Sequence, residues 1–444
     1  MEQNTTTFKV APYAAPTSQK ERIDILDSLR GIAILGILMM NLPSFGIGAY
    51  NPVVNNETGI NYYIWYLVNL IPDGTQRAFF SMLFGAGVIL FLSAKEKILP
   101  GMVPAEYFVR RMLWLIIFSL IDVYLLLWHG DILFDYACMG FILFAFRNLS
   151  PKKLLIAAFV CMLLMSAREN RNLYLDKQTI QQGEKIAAMD TSITKLSLLQ
   201  KQRLNEMQEF KEDASMPAMR KRFTKSKEIM HSGYGEIYTF RSNRYLDQIV
   251  KYTYLSLWDI LEFMFIGMAF YKMGVLTGKA KTKVYAWMCI IGLGVGIGLA
   301  YLRIHSIIQL NFNWFEYARQ SSFDWYNIDR SFRSLGFFGM VMLMFKSGIF
   351  KWFFNIMRPT GQMAFSNYLG QSILCAIIFY GFGFGLYGIL QRYEAYIILL
   401  GIWIFQIIFS NIWLSYFYFG PLEWAWRSLT YWKRQPMKKM TLKN

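Results

Sequence analysis

The sequence predicts an all-α, polytopic integral membrane protein, a helical bundle of about ten transmembrane helices. Of its 444 residues, 55% are apolar and 17% are charged, whereas roughly 25% are charged in an ordinary soluble protein. Several apolar runs approach the ~20 residues that a helix needs to cross a bilayer. The net charge of +17 is spread over the ends of these runs, as is typical of membrane proteins. The lipid bilayer is therefore the expected partner, and nucleic acid is not.

Apolar runs place the ten spans in two groups of five. Spans one to five occupy residues 29–167, and spans six to ten occupy residues 257–417. The individual spans are predicted at 29–50, 62–94, 112–128, 132–147, 152–167, 257–276, 284–303, 334–353, 365–382 and 395–417. Lys and Arg are enriched in alternate short loops, which the positive-inside rule assigns to the cytoplasm. The tails 1–28 and 418–444 are therefore expected to be cytoplasmic, and the chain is expected to be a multi-pass protein of the plasma (inner) membrane.

Three polar features interrupt this pattern. Pro72-Asp73-Gly74 breaks the second span, which is tolerated only against protein or a water-filled cavity. The polar segment 168–256 predicts an extracytoplasmic helical insertion, with an antiparallel pair hinged near Met216-Pro217. At the start of the first span, Asp27-Ser28 are predicted to cap the helix.

The segment HGDILFDYACMG, residues 129–140, places three ionisable residues between two long apolar runs. On the predicted topology, His129 and Asp131 lie in the outer turn between spans three and four. Asp135 lies one helical turn deeper, on the same helix face as Asp131. A histidine held by a carboxylate can act as a general base. Capping of the fourth helix is the alternative role of Asp131.

Four stretches and the ending carry a resemblance to a known family. They are RIDILDSLRGIAILGILMMNLPSF (22–45), RAFFSMLFGAGVILFL (77–92), WHGDILFDYACMG (128–140), PTGQMAFSNYLGQSILCAIIFYGFGFGLYG (359–388) and YFYFGPLEWAWRSLTYW (416–432). Together they cover the chain nearly end to end and resemble the YeiB-like family, which has a domain of unknown function, number 418. The insertion is the least matched part.

The opening motif is also similar to that of membrane acyltransferases of the heparan glucosaminide acetyltransferase type. Those proteins take acyl-CoA on the cytoplasmic side and acylate a sugar on the other side. In that group, an LD-xx-RG start is followed by an Asn and then by a catalytic His. Asp27, Arg30, Gly31 and Asn41 match the first part, but no histidine precedes Trp128 in this chain.

This similarity implies acyl-CoA as the donor substrate, bound near Arg30 at the cytoplasmic face. His129 is then the predicted base, Asp131 the group that orients it, and Asn41 a donor to the acyl carbonyl. Structural alternatives exist for two of these residues. Arg30 could anchor its helix at the membrane interface, and Asn41 could make an interhelical hydrogen bond.

Other polar residues in or beside the apolar runs predict a shared substrate pocket. Besides Arg30, the expected substrate-binding residues are Asp73, Arg77, Asp135, Arg330, Arg333, Asn367 and Gln371. The alternative is that these groups pair with one another, as buried charges must. The four cysteines have no paired spacing, so no metal is expected.

The leading hypothesis is a membrane-embedded acyltransferase that moves an acyl group from a cytoplasmic acyl-CoA to an extracytoplasmic glycan or lipid acceptor. Broken spans and ionisable residues fit a transporter or exporter of a small solute equally well. A third hypothesis is a non-catalytic membrane partner protein that uses segment 168–256 as a docking arm.

Overall fold

The computed structural model describes residues 23–49, 51–99, 101–189, 196–250 and 254–439. These residues form α-helices and, at Pro43–Ile47, a π-helical turn, and none of them lies in a β-strand. The helices are α1 (Asp24–Leu42), α2 (Gly59–Leu70), α3 (Thr75–Glu96), α4 (Val103–Tyr124), α5 (Leu133–Phe146), α6 (Pro151–Ala187), α7 (Leu198–Asp213), α8 (Met216–Met230), α9 (Tyr234–Gln248), α10 (Tyr254–Lys272), α11 (Thr282–Gln309), α12 (Trp314–Gln320), α13 (Tyr326–Ser347), α14 (Lys351–Gln362), α15 (Ala364–Phe379), α16 (Arg392–Tyr416) and α17 (Pro421–Tyr431). The π-helical turn, Pro43–Ile47, continues α1. The all-α prediction is confirmed.

The described helices are compatible with a membrane. Four helical segments are long and apolar enough to cross one: Asp24–Ile47, Gly59–Glu96, Thr282–Gln309 and Arg392–Tyr416. The helices α5 and α15 are apolar but shorter. Another long helix, α4, carries Arg110, Arg111 and Asp122 along its apolar part, which lowers its mean hydropathy. The count of ten spans and the cytoplasmic termini stay predictions, and most of the N-terminal tail lies outside the described residues.

The predicted break in the second span is present, and an arginine stabilises it. The helix α2 ends at Leu70, and α3 begins after Gly74, whose φ is +72°. A helix end buried in a bundle leaves backbone carbonyls without partners. Nη1 of Arg333 donates to the carbonyls of Asn69 (3.2 Å) and Leu70 (3.3 Å). Arg333 is fully buried and also forms an ion pair with Asp329. The bundle therefore provides the cap that lipid could not provide.

Basic loops meet at one end of the bundle, which we call the basic end. Nε of Arg147, after α5, donates to Glu96 at the end of α3 over 3.1 Å. Nζ of Lys272, at the end of α10, donates to the Arg147 carbonyl over 2.6 Å. The loops after α3, α5 and α10 are thus held together by contacts among themselves.

The opposite end, which we call the far end, holds the turn 125–132 and part of the predicted insertion. Oη of Tyr234 in α9 donates to the Leu125 carbonyl over 2.9 Å. The amide of Gly381 donates to the carbonyl of Met230, the last residue of α8, over 2.8 Å. The helices α8 and α9 therefore pack directly on the bundle.

The predicted boundary between the fifth span and the insertion, at residues 167–168, falls inside one helix. The 37 residues of α6 extend about 56 Å at ~1.5 Å per residue, well beyond the ~30 Å hydrocarbon core of a bilayer. Its outer half has its own apolar contacts, in which Leu173 and Ile180 pack with Met207 of α7 and Phe315 of α12. The helix α6 continues beyond the thickness of a bilayer because its apolar side chains there pack against α7 and α12 instead of against lipid.

The insertion differs from the predicted antiparallel pair in its helix count. Its described residues form α7, α8 and α9 in addition to the outer part of α6. The α7–α8 connection is Ala214-Ser215, and Oγ of Ser215 accepts the amide of Ala218 over 3.3 Å. The hinge therefore lies just before Met216-Pro217, since Ser215 caps α8 and Pro217 occupies its first turn.

The first helix begins earlier than predicted. Its N-cap position is Ile23, so Asp27 and Ser28 lie in its interior and do not cap it. Instead, Asp27 accepts from Nη1 of Arg30 over 2.7 Å, and Oγ of Ser28 donates to the Phe354 carbonyl of α14 over 2.9 Å. Apolar residues before Asp27 extend the helical pattern by one turn.

Two further predicted boundaries are also corrected. The predicted span 334–353 ends at Ser347, and the separate helix α14 follows and packs against α1. The predicted tail 418–444 contains α17, which docks on the bundle. Oε1 of Glu423 in α17 accepts the amides of Phe365 (2.8 Å) and Ser366 (3.0 Å), at the start of α15.

Glycines allow a close helix crossing between α11 and α13. A Cβ added to Gly292 would lie 2.5 Å from the Cα of Gly336, whereas one added to Gly294 would meet no described atom within 4 Å. Close backbone approach through small residues is a main source of helix association in membranes.

We predict that Gly292→Ala lowers the thermal stability of the purified protein, by about 1–3 kcal/mol, because the added methyl group collides with the Gly336 backbone. Gly294→Ala is the matched control on the same helix. It should leave the melting temperature unchanged or raise it, since alanine favours helix by up to ~1 kcal/mol over glycine. Equal melting temperatures for the two variants would contradict this crossing.

Candidate functional site

A cavity of about 260 Å³ extends from the basic end into the bundle. We call it the first cavity. At the basic end it is lined by Asp27, Arg30, Arg111, Gln362, Glu423, Trp426 and Arg427. Its walls include Phe80, Leu83, Phe84, Val88, Phe91, Phe108, Met112, Leu115 and Phe365. Its deep end is formed by Ile132, Leu133, Tyr136 and Tyr368. The cavity therefore combines a cationic entrance with an apolar passage.

Aromatic rings and a carboxylate position the three arginines at the entrance. Arg30 pairs with Asp27, and its side chain is 28% exposed. The guanidinium carbon of Arg111 lies 4.0 Å from the ring centroid of Trp426 in α17. Stacking on an aromatic face leaves the edge of a guanidinium open to a phosphate or carboxylate oxygen.

Gly87 in α3 keeps the passage open beside Arg30. A Cβ added there would have Nη2 of Arg30 as its nearest neighbour, 4.0 Å away. By contrast, a Cβ at Gly85 would lie 2.1 Å from the Met264 carbonyl of α10. Of the two glycines, Gly85 serves helix packing and Gly87 borders the cavity.

Tyrosine hydroxyl groups form the polar floor of the first cavity. Oη of Tyr368 donates to Oδ1 of Asp131 (3.2 Å) and accepts the amide of Ile132 (3.1 Å). Oη of Tyr136 and Oγ of Ser81 are 2.6 Å apart. The polar turn that follows α4 thus begins directly beneath the apolar passage.

A second cavity, of about 350 Å³, lies beyond this floor. Its lining residues are Ile37, Met40, Asn41, Pro43, Trp65, Val68, Asn69, Asp73, Gly74, Arg77, Ile132, Tyr326, Arg392 and Tyr396. The structure therefore brings together three of the predicted site residues, Asn41, Asp73 and Arg77. Ile132 lines both cavities, so its side chain lies between them.

Ion pairs hold the charged side chains around the second cavity. Arg77 and Arg330 both pair with Asp259 of α10. Arg303 of α11 lies 2.9 Å from Asp329 and 4.0 Å from Asp73. The sequence-based alternative, pairing among buried charges, therefore holds for much of this group.

His129 is held by Arg241 and Ser44 and not by the predicted carboxylate of Asp131. Nη1 of Arg241 in α9 donates to Nδ1 of His129 over 2.7 Å, and Nε2 of His129 lies 3.3 Å from Oγ of Ser44. Because an arginine only donates, Nδ1 must be an acceptor, and in the neutral ring Nε2 then carries the hydrogen. Burial, together with the charges of Arg241 and Arg244, holds the pKa of His129 well below its ordinary value. Both ring nitrogens are thus engaged, and the ring is neutral.

Asp131 caps α5, which is the alternative role that the sequence predicts for this residue. Its Oδ2 accepts the amides of Leu133 (3.0 Å) and Phe134 (3.2 Å), and it also accepts from Oγ of Ser119. Within the described residues no hydrogen bond joins Asp131 to His129. The expectation that Asp131 orients His129 is therefore corrected, because Arg241 and Ser44 hold the ring.

Four of the predicted substrate-binding residues serve the scaffold. Arg333 caps α2, and Arg330 pairs with Asp259 behind Gly74. Nδ2 of Asn367 donates to Ser410 of α16 over 3.0 Å, and Nε2 of Gln371 donates to the Ile34 carbonyl of α1 over 3.2 Å. None of the four lines either cavity among the described residues, because each side chain is already occupied by a neighbouring helix.

Four of the remaining predicted substrate-site residues line a cavity. Arg30 lines the first cavity, and Asn41, Asp73 and Arg77 line the second. Asp135 is half-buried on α5 and interacts electrostatically with Arg77, outside both linings.

Sequence reasoning missed two of the entrance arginines, Arg111 and Arg427. A basic residue at the end of a span looks the same in sequence whether it faces lipid headgroups or a cavity. Only the docking of α17 against α4 and α15 shows the difference. The LEWAWRS motif belongs to the C-terminal stretch that carries the family resemblance. It was the sequence feature that could have indicated a role for Arg427.

We predict that His129 stays neutral, with hydrogen on Nε2 only, between about pH 6 and 8, where an ordinary histidine titrates. The protein has three histidines, so ¹⁵N NMR of the His231→Asn, His305→Asn double variant reports on His129 alone. Adding Arg241→Met should raise the pKa of His129, because it removes a neighbouring positive charge. A resonance that titrates near 6.5 before this change would contradict the assignment.

Known proteins match the chain over nearly its full length. A family model described as "Protein of unknown function (DUF418)" matches residues 270–433. The uncharacterized protein YxaH of Bacillus subtilis (strain 168) is 28% identical over 450 aligned positions, covering 96% of this chain and 98% of that protein. The uncharacterized protein YeiB of Escherichia coli (strain K12) is 26% identical, covering 92% and 96%. No solved structure matches. These matches confirm the resemblance to the YeiB-like DUF418 family.

Proposed function

We propose that this protein is a membrane-embedded acyltransferase with acyl-CoA as its donor. The observation that carries the proposal is the pair of cavities that meet at Ile132. The first has a cationic entrance and an apolar passage, and the second has a mixed lining of polar and apolar side chains. A donor with a phosphate-bearing head and a long flexible arm fits the first cavity, and the acceptor reaches the same point from the other side.

The arginines at the entrance match the phosphates of coenzyme A. Guanidinium groups bind phosphate through paired, charge-assisted hydrogen bonds. Arg30 and Arg111 come from α1 and α4, and Arg427 comes from α17, so the head group would contact three separate elements. The pantetheine arm and acyl group would then follow the apolar passage towards Ile132, and the free energy of apolar burial would favour this position.

Asn41 fits the role of a donor to the acyl carbonyl. It lines the second cavity together with Ile132, so its amide group faces the region that the thioester would enter. Preorganised donors aimed at a developing oxyanion are a major source of catalysis. His129 instead acts as a positioning residue, because its ring links the turn to α9 and the π-helical turn.

The acyl-CoA side is the cytoplasm in this proposal. The basic end then faces the cytoplasm, in line with the positive-inside rule, and the acceptor is an extracytoplasmic glycan or lipid. The protein would be a multi-pass component of the plasma (inner) membrane. No metal is required for thioester transfer to a hydroxyl group.

A small-solute transporter is the second candidate. The observation that favours it is the interrupted pair α2–α3, whose Asp73 and Gly74 line the second cavity. Transporters build their substrate sites from such broken helices. The two functions differ in product, because a transporter releases its solute unchanged, whereas the transferase releases free coenzyme A.

We predict that Arg30→Ala weakens octanoyl-CoA binding to the full chain in nanodiscs by about ten- to a hundredfold. A charged hydrogen bond contributes ~1.5–3 kcal/mol, and ~1.4 kcal/mol corresponds to a factor of ten. Gly87→Leu should also reduce binding, because its side chain would enter the passage. Isothermal titration calorimetry measures both effects.

Arg358→Ala is the matched control. It removes the same charge from the basic end, where Arg358 pairs with Asp24 at 2.9 Å, outside the first cavity. It should bind octanoyl-CoA as the wild type does. The donor assignment fails if Arg30→Ala and Arg358→Ala bind equally well, or if folded wild-type protein binds no acyl-CoA.

A further inference from the structure

We propose that the second cavity binds a neutral, polyhydroxylated acceptor such as a saccharide, and that Asp73 accepts the proton of the reacting hydroxyl. This inference rests on the proposed acyl transfer and specifies its acceptor side. It is carried by three features of the cavity, namely its hydrogen-bonding groups, its charge balance and the position of its carboxylate.

The lining of the second cavity offers both donors and acceptors beside aromatic surfaces. Nδ2 of Asn69 donates to the Trp65 carbonyl over 2.7 Å, which leaves its side-chain oxygen as an acceptor. Oη of Tyr396 is buried and has no hydrogen-bond partner among the described residues. A hydroxyl group both donates and accepts, so a polyol can satisfy such a mixed lining. An alkyl chain would leave these polar groups unsatisfied, at a cost in free energy.

The charges of this lining are compensated by protein partners. Nε of Arg392 lies 2.6 Å from Glu57, and both side chains are buried. Arg77 pairs with Asp259, which it shares with Arg330. A neutral ligand therefore fits better than a phosphate or an ammonium group, whereas the first cavity gathers three arginines at its entrance. The two cavities differ in the charge of the ligand that they favour.

Asp73 is positioned to take a proton. It is the one carboxylate among the residues that line the second cavity. Its side chain is 22% exposed, and its nearest cation, Arg303, is 4.0 Å away, beyond hydrogen-bond distance. The break between α2 and α3 presents this carboxylate inside the bundle. Gly74 permits the turn, because its φ is +72° and a Cβ would lie 2.2 Å from Cδ of Arg330.

The reaction balances with these groups. The acceptor oxygen attacks the carbonyl carbon of the thioester, its proton passes to the Asp73 carboxylate, and the C–S bond breaks. The coenzyme A thiolate leaves through the first cavity and is protonated, while Asp73 returns its proton to solvent. The products are an acyl ester and free coenzyme A. The side chain of Ile132 must turn aside for the two ligands to meet.

The test uses the full chain in nanodiscs prepared with a detergent that has no sugar head group. N-acetylglucosamine and its methyl glycoside are the saccharide probes, and diacylglycerol and ethanolamine represent lipid and amine acceptors. Saturation-transfer NMR measures saccharide binding without acyl-CoA. Radiolabelled acetyl-CoA measures transfer and, separately, donor binding.

We expect the saccharides to bind and to be acylated in preference to the other two probes. Trp65→Ala should reduce saccharide binding and leave acetyl-CoA binding unchanged, and Trp287→Ala, at a position that is 62% exposed on α11, is its control. Asp73→Asn should lower transfer by about 10²–10⁴-fold, the range for loss of a general base, with both ligands still bound. Asp73→Glu should recover part of the rate.

Ile132→Phe provides a second variant that does not remove a charge. It should preserve binding of each ligand and block transfer, because the larger side chain closes the junction. The inference is overturned if neither saccharide binds, if diacylglycerol or ethanolamine is the preferred acceptor, or if Asp73→Asn transfers at the wild-type rate. If acetyl-CoA does not bind, the proposed function fails. The saccharide-binding measurement then still shows whether the second cavity binds a saccharide.

Discussion

The capped end of α2 is the constraint on which the centre of this molecule depends. A helix that ends within a membrane bundle leaves backbone carbonyls that lipid cannot satisfy. Arg333 satisfies two of them, and Asp329 compensates the charge of Arg333. Asp329 in turn holds Arg303, which lies beside Asp73. One cap thus fixes a chain of ion pairs that ends at the second cavity.

This chain of contacts explains why a membrane bundle retains so many buried charges. Burial of each ion costs several kcal/mol unless a partner and hydrogen bonds compensate it. The buried arginines have carboxylate, carbonyl or imidazole partners, and among them Arg333 stabilises the interrupted span. Asp73 differs, since its nearest cation is 4.0 Å away and its carboxylate faces a cavity. A weakly paired charge in a strongly paired surrounding is where chemistry is expected.

The two cavities differ in their linings, because the first has a cationic entrance and an apolar passage, whereas the second has a mixed lining that includes one carboxylate. The C-terminal helix α17 completes the first half, through Trp426 and Arg427. The α2–α3 break shapes the second half. Ile132 separates the two, and its backbone amide is held by Tyr368, so the partition is part of the capped turn before α5.

The sequence by itself determined the helical class, the membrane-compatible composition and the break at Pro72-Asp73-Gly74. These follow from local properties: apolar length, turn-forming residues and the high cost of isolated polar groups in apolar runs. Only the tertiary structure decided which polar groups pair with each other. His129 and Arg241 lie 112 positions apart, and Asn367 meets a serine of α16. Such long-range partners depend on how helices pack, which the pattern along one helix does not encode.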